Sequence, residues 1–250
     1  MTTRFHRELL DAASAPFRSV DRFAWHFSRS KLKRDPMFFG LLEHGIIPDA
    51  RRLVDLGCGQ GLLVSWLRSA RALHDAGQWP PDLPAPPDVG EIFGLELMPK
   101  DVERARRALA GRGIFEVGDI RTADFGKADV IVILDVLHYI DFNDQLDVLR
   151  RVRTALPNDG LFVTRVGNAA GGLPFVVSKW VDHAVAISRG HRLSRLHCRS
   201  TADWTEILEH LGFRVDSIPM CRGTPFANVT LIARVEGPAS PRNGDPGTVC

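Results

Sequence analysis

The 250-residue chain is poor in the features that mark several large functional classes. Its four cysteines, Cys58, Cys198, Cys221 and Cys250, have no paired spacing, which argues against a disulfide framework and a zinc site, so no metal is expected. No apolar run reaches the roughly 18 residues of a membrane-spanning helix. The charged N-terminus lacks the apolar stretch of a signal peptide, so the expected location is the cytoplasm. The formal net charge of +2 is too small to imply a nucleic-acid partner. Behind its richest glycine segment there is no Gly-Lys-Ser/Thr ending, which excludes a nucleoside-triphosphate loop. No internal repeat is visible.

With 44% hydrophobic residues, the chain has enough apolar material for one substantial core. Short β-type runs are expected at 52–56, 91–97, 114–118, 129–136, 161–166, 213–218 and 228–235. Helical patterns fall between them at 60–76, 99–111, 143–156 and 201–211, the third carrying Leu146, Leu149, Val152 and Leu156 on one stripe. Strands alternating with helices predict an α/β fold, a largely parallel sheet with helices on both faces. The run at 129–136 is apolar nearly throughout, as a central strand buried on both sides would be. The short connection at 219–227 favours an antiparallel hairpin between the last two strands. Residues 1–50 are expected to form an N-terminal helical cap, with helices near 4–13, 16–30 and 36–44, and 51–236 the main domain. The Pro-rich stretch 77–90 is expected as a surface loop, 168–200 as a lid insertion before strand six, and 237–250 as a disordered tail.

The segment "LVDLGCGQG", residues 53–61, runs a strand into a glycine-rich turn and a helix, a geometry that brings bare backbone to a ligand. Gly57, Gly59 and Gly61 stand two apart, and Leu62 replaces the third glycine of a dinucleotide fingerprint. Asp55, just before the turn, would repel a pyrophosphate but suits an ammonium or a sulfonium. Glu96, Asp119 and Asp135 follow at the ends of the next three strands, one acid per strand end. The bland alternative makes these acids strand-end caps or solvated surface residues.

In combination, "VDLGCGQG", "GLELMPK", "VGDI" and "VILDVLH" resemble the successive motifs of class I S-adenosylmethionine-dependent methyltransferases, over 52–166. That resemblance implies a Rossmann-like seven-stranded sheet in the order 3-2-1-4-5-7-6 with strand seven antiparallel. It implies S-adenosylmethionine as cofactor and S-adenosylhomocysteine as product. Gly57, Cys58, Gly59 and Gly61, with Asp55, would approach the methionine part. Glu96 would accept the ribose hydroxyls, and Asp119 the adenine amino group, with Leu97 and Ile120 against the ring. Asp135 and Val136 would face the methionine and the acceptor. The spacing of about 35 residues between Gly61 and Glu96 exceeds the roughly 20 usual for such loops, and the Pro-rich stretch accounts for the excess.

After Asp135 the chain reads Val-Leu-His-Tyr, without the Asn/Asp-Pro-Pro-aromatic signature of base amino methylation or the Pro-Cys of cytosine C5 methylation. A nucleic-acid substrate is therefore not expected, although an RNA methyltransferase and a non-catalytic cofactor binder stay open as alternatives. His138 is the natural proton acceptor, since imidazole titrates near neutrality, with packing as its other reading. Tyr139, the only tyrosine in the chain, either lines the pocket or packs. Candidate acceptor-side residues are Trp25 and Arg29, among Phe23, His26 and Phe27 of the cap, and Trp180 and His183 of the apolar stretch 173–187. That stretch precedes a basic segment, which suits a small hydrophobic, aromatic or acyl acceptor, or docking on an acyl carrier protein or a membrane surface. The "WHFSRSKLKRDP" and "DVLHYI" stretches are similar in texture to small bacterial methyltransferases of aryl-polyene or pigment pathways.

Overall fold

The computed structural model describes residues 2–167, 196–220 and 228–236. Seven strands, β1 (Ala50–Leu56), β2 (Val89–Glu96), β3 (Ile114–Val117), β4 (Val130–Leu134), β5 (Leu161–Gly167), β6 (Phe213–Pro219) and β7 (Asn228–Val235), form one sheet in the order β3-β2-β1-β4-β5-β7-β6. β1 through β5 pair in parallel, and β7 runs antiparallel to both β5 and β6. The strand order reverses between β1 and β4, where open α/β sheets form a ligand crevice at the carboxyl ends.

The helices are α1 (Thr2–Ser14), α2 (Arg22–Arg34), α3 (Pro36–Glu43), α4 (Leu62–Asp75), α5 (Pro99–Ala108), α6 (Phe142–Ala155) and α7 (Thr201–His210). Local chemistry fixes where several begin. The Asp21 carboxylate accepts from the Ala24 amide at 2.6 Å, and Asp141 from the amides of Asn143 and Asp144, both at 2.9 Å. Ser200 and Asp203 cap α7 reciprocally, at 3.1 and 3.0 Å. The Asp21 cap explains why the helix expected over 16–30 is split into a 3-10 turn, Ala15–Ser19, and α2. β4 stops at Leu134, short of the expected 136, because Asp135 takes a left-handed backbone with φ +59° that no strand continues.

Side chains alternate across the sheet. Leu53, Ile92, Val132 and Val163 face one hydrophobic layer together with α1, α2, α3 and α4. Val54, Phe93, Ile133 and Phe162 face the other, against Leu149 of α6 and Trp204 of α7. Asp55, Glu96 and Arg165 keep step with the first set and so project toward the N-terminal helices. Those helices are tied down: the Ser65 hydroxyl donates to the Ala13 carbonyl at 2.7 Å, and the Gln60 amide to the Ala24 carbonyl at 3.2 Å. α2 thereby passes across the turn that follows β1. No helix among the described residues is long and apolar enough to cross a membrane. The expected insertion lies outside the described residues save for 196–200, and the tail 237–250 lies outside them altogether.

Candidate active site

The turn between β1 and α4 is built from left-handed glycines. Gly57 and Gly61 both have φ +80°, and a Cβ on Gly57 would collide with the Val136 side chain. At Gly61 it would stand 2.7 Å from Leu109 Cδ1. Gly59, with φ +54°, differs, because a Cβ there meets nothing within 4 Å. The turn is therefore packed tight at both ends and open at its tip. The amides of Gly57 and Cys58 donate to the Leu95 carbonyl at 2.7 and 3.1 Å. Glu96 closes the arrangement, one carboxylate oxygen accepting from the Gly59 amide at 3.0 Å and the other from the Met98 amide at 2.9 Å.

Asp55 lies beneath this turn at 3% exposure. Burial, and then the charge of Glu96, pushes its carboxyl up to about 7. Cys58, also buried, has its thiol pushed well above the ordinary value by burial and by both carboxylates, so it is no nucleophile. Two acids on neighbouring strands lie at one glycine turn, where their like charges call for a cation. A ligand bearing an ammonium or a sulfonium answers that need, and the open tip at Gly59 gives it room. The residues present fit the expected cofactor.

Asp119 follows β3 and is engaged by Arg121, whose Nε and Nη2 donate to its carboxylate at 2.9 and 2.6 Å. Those bonds, outweighing burial, hold its carboxyl below the usual range. Leu97, just past Glu96, is 51% exposed, an apolar side chain presented at the strand ends, whereas Ile120 is buried in the hydrophobic layer that includes Leu149 and Trp204.

Asp135 anchors a four-member ion cluster that the sequence did not reveal. Arg165 of β5 donates through Nε to Asp135 at 2.7 Å, and its Nη2 also pairs with Asp135. The same guanidinium clasps Asp35, the cap of α3, at 2.7 Å through Nη2 and by a second bond through Nη1. Lys31 of α2 completes it, 2.9 Å from Asp35 and 3.5 Å from Asp135. Burial alone would raise both carboxyls, but Arg165 and Lys31 outweigh it and hold both below the usual range. Sequence patterns gave no signal for Arg165, whose partners lie 30 and 130 positions away, and the Lys31–Asp35 pair, four residues apart, did not point to the cluster.

The turn after Asp135 carries the other candidates. Leu137–Tyr139 form a 3-10 turn, with the His138 and Tyr139 rings 4.2 Å apart and Tyr139 on the surface. The His197 amide donates to the His138 carbonyl at 2.9 Å, and Gln145 donates to the carbonyls of Leu137 at 3.0 Å and His197 at 2.8 Å. Residue 197 is thereby fastened beside His138. On the acceptor side, Arg29 pairs with Asp11 and reaches the Ser14 hydroxyl at 3.3 Å, so its charge is engaged on α1. Trp25 packs against His26 at 4.6 Å beneath the Arg18 guanidinium. Lys31, two residues beyond Arg29 on α2, lies 3.5 Å from Asp135. Trp180 and His183 lie outside the described residues. Among the described residues, no group of histidines, cysteines and acids has the makings of a metal site.

This arrangement agrees with comparisons to known proteins. A methyltransferase-domain family model matches residues 24–218, from α2 to β6. The chain is 30% identical over 138 residues to the mitomycin biosynthesis 6-O-methyltransferase of Streptomyces lavendulae, covering 53% of this chain and 38% of that protein. It is 30% identical over 130 residues to the carboxy-S-adenosyl-L-methionine synthase of Chromohalobacter salexigens, covering 50% of this chain and 43% of that protein. The chain thus spans under half the length of these curated relatives. Among solved structures, mitomycin 7-O-methyltransferase superposes with a TM-score of 0.55 at 26% identity, over 87% of this chain and 59% of that one. An O-methyltransferase family protein from Burkholderia thailandensis shares the fold with a TM-score of 0.59 at 19% identity, over 84% of this chain and 57% of that one. The glycine turn, the strand-end acids, the sheet order and the family match agree, and the chain belongs to the class I S-adenosylmethionine-dependent methyltransferases.

Proposed function

We propose that the protein methylates a small hydrophobic or aromatic metabolite, at a hydroxyl oxygen, using the site at the carboxyl ends of β1, β2 and β4. The observation that carries the site is buried Asp55 next to half-buried Glu96 at the open glycine turn. The O-methyltransferase likeness, over about half of the chain, supports the acceptor class. When bound, S-adenosylmethionine supplies an electrophilic methyl on a sulfonium.

The chain's own residues then have distinct tasks. Asp55, Gly57, Cys58, Gly59 and Gly61 surround the methionine part, Glu96 accepts the ribose hydroxyls, and Asp119 accepts the adenine amino group. Asp135, kept ionised by Arg165 and Lys31, is too weak a base to take a proton near neutrality, so it orients the acceptor through a hydrogen bond. His138, on the next turn, removes the acceptor proton as neutral imidazole, and Tyr139 borders the acceptor. Val136, packed on Gly57, keeps the glycine turn and the acceptor turn at a fixed separation.

Incubation of the purified protein with methyl-tritiated S-adenosylmethionine and a fractionated extract of its source tests this reading. Label should appear in small organic-soluble compounds. Label in nucleic acid or protein would overturn the acceptor class. With the labelled compound in hand, His138→Ala should slow turnover by about a hundredfold or more, with S-adenosylhomocysteine affinity unchanged. Undiminished turnover would remove His138 from the mechanism.

A further inference from the structure

α6 presents two charged side chains, Asp144 and Arg151, seven residues apart on one helix face, toward the turn that carries Asp119. Arg151 Nη1 donates to the carbonyls of Ile120 at 2.9 Å and Arg121 at 2.8 Å, and Nη2 to that of Ala123. Its guanidinium also lies over the buried Phe125 ring at 5.0 Å. Three carbonyls of one short turn converge on one planar fork. Few side chains can satisfy that geometry, since guanidinium alone offers five donors in a rigid plane.

The turn is wound around Asp119 as well. The amides of Thr122 and Ala123 donate to the Asp119 carbonyl at 3.0 and 2.8 Å, and the Arg121 amide donates to its carboxylate at 2.9 Å. The direction of that carboxylate therefore depends on the peptide planes of residues 119–123, and Arg151 fixes three of their carbonyls from outside. Arg121, which grips the carboxylate, is itself steadied 3.4 Å from Asp144 of the same helix. α6 thus reaches the turn at its backbone through Arg151 and at its side chain through Asp144.

We infer that Arg151 is a positioning residue for base recognition, holding Asp119 so that its carboxylate accepts from an exocyclic amino group and rejects a carbonyl oxygen at the same position. The inference rests on the assignment of Asp119 to the adenine amino group. The readout it calls for is discrimination between two bases, which a merely structural arginine would leave unmoved.

Calorimetry with S-adenosylhomocysteine and its 6-oxo counterpart, S-inosylhomocysteine, on the full chain tests it. The wild-type protein should prefer the amino form by roughly tenfold or more, the scale of a hydrogen bond to a charged group. Arg151→Met should lose most of that preference, approaching the Asp119→Ala variant. Arg151→Lys keeps the charge but not the fork, so it should fold and fall between the two. A wild-type preference retained in full by Arg151→Lys, or by a folded Arg151→Met, would overturn the inference while leaving the Asp119 assignment standing. Equal binding of the two ligands by the wild-type protein would overturn the Asp119 assignment and the inference with it.

Discussion

Asp55 and Glu96 divide the work of a cationic site by their surroundings. Glu96 has each carboxylate oxygen on a backbone amide, whereas Asp55 is buried with an acid as its charged neighbour. With its carboxyl raised from 3.8 to about 7, Asp55 holds a proton in the folded chain that it has lost in the unfolded one, between about pH 4 and 7. Stability of the cofactor-free protein therefore falls as pH rises through that window. A cationic ligand favours the ionised form, so S-adenosylhomocysteine affinity should rise from pH 6 toward pH 8, with proton release on binding. Calorimetry in buffers of different ionisation enthalpy measures that release, and Asp55→Asn should abolish it. Glu96→Ala should weaken S-adenosylhomocysteine binding by roughly 1.5–3 kcal/mol, and Asp119→Ala by less, since it accepts from one amino group whereas Glu96 accepts from two hydroxyls. The reverse order in the same titrations would exchange the two roles.

At the level of elements, the cluster of Arg165, Asp35, Asp135 and Lys31 joins β5, the start of α3, the end of β4 and α2. Arg165 is 3% exposed and pairs with both carboxylates, so its loss leaves them with only the more exposed Lys31 as partner within the cluster. Arg165→Met should lower unfolding stability by about 3–5 kcal/mol in chemical denaturation. Arg29→Ala, which breaks a pair half open to water, should cost less than about 1 kcal/mol. Equal losses in the two variants would contradict this account of the cluster. The contrast also shows where sequence reading stops. Arg29 stood among aromatics and read as part of a pocket wall, but its partner Asp11 sits on another helix. Arg165 read as a strand residue, although its partners lie 30 and 130 positions away. Ion pairs at that range leave no periodicity or spacing to read.

For the molecule as a whole, strand and helix order was legible because alternation and periodicity are local, and the glycine turn because its chemistry occupies nine consecutive residues, 53–61. The strand ends moved where long-range contacts won, as at Asp135, whose left-handed backbone ends β4 beside Arg165. What the fold adds is a single face. Asp55, Glu96 and Arg165 come from different strands and project to the side roofed by α2, whose Ala24 carbonyl meets Gln60 and whose Lys31 meets Asp135. The central claim is that the cofactor lies between that roof and the strand ends. Hydrogen exchange of the full chain, with and without S-adenosylhomocysteine, tests it most directly. Added ligand should slow exchange at 55–61, 95–98, 119–121 and 135–138 and along α2. Protection confined to the opposite end of the sheet, near the Pro-rich stretch 77–90, or absent from α2 and the glycine turn, would contradict it.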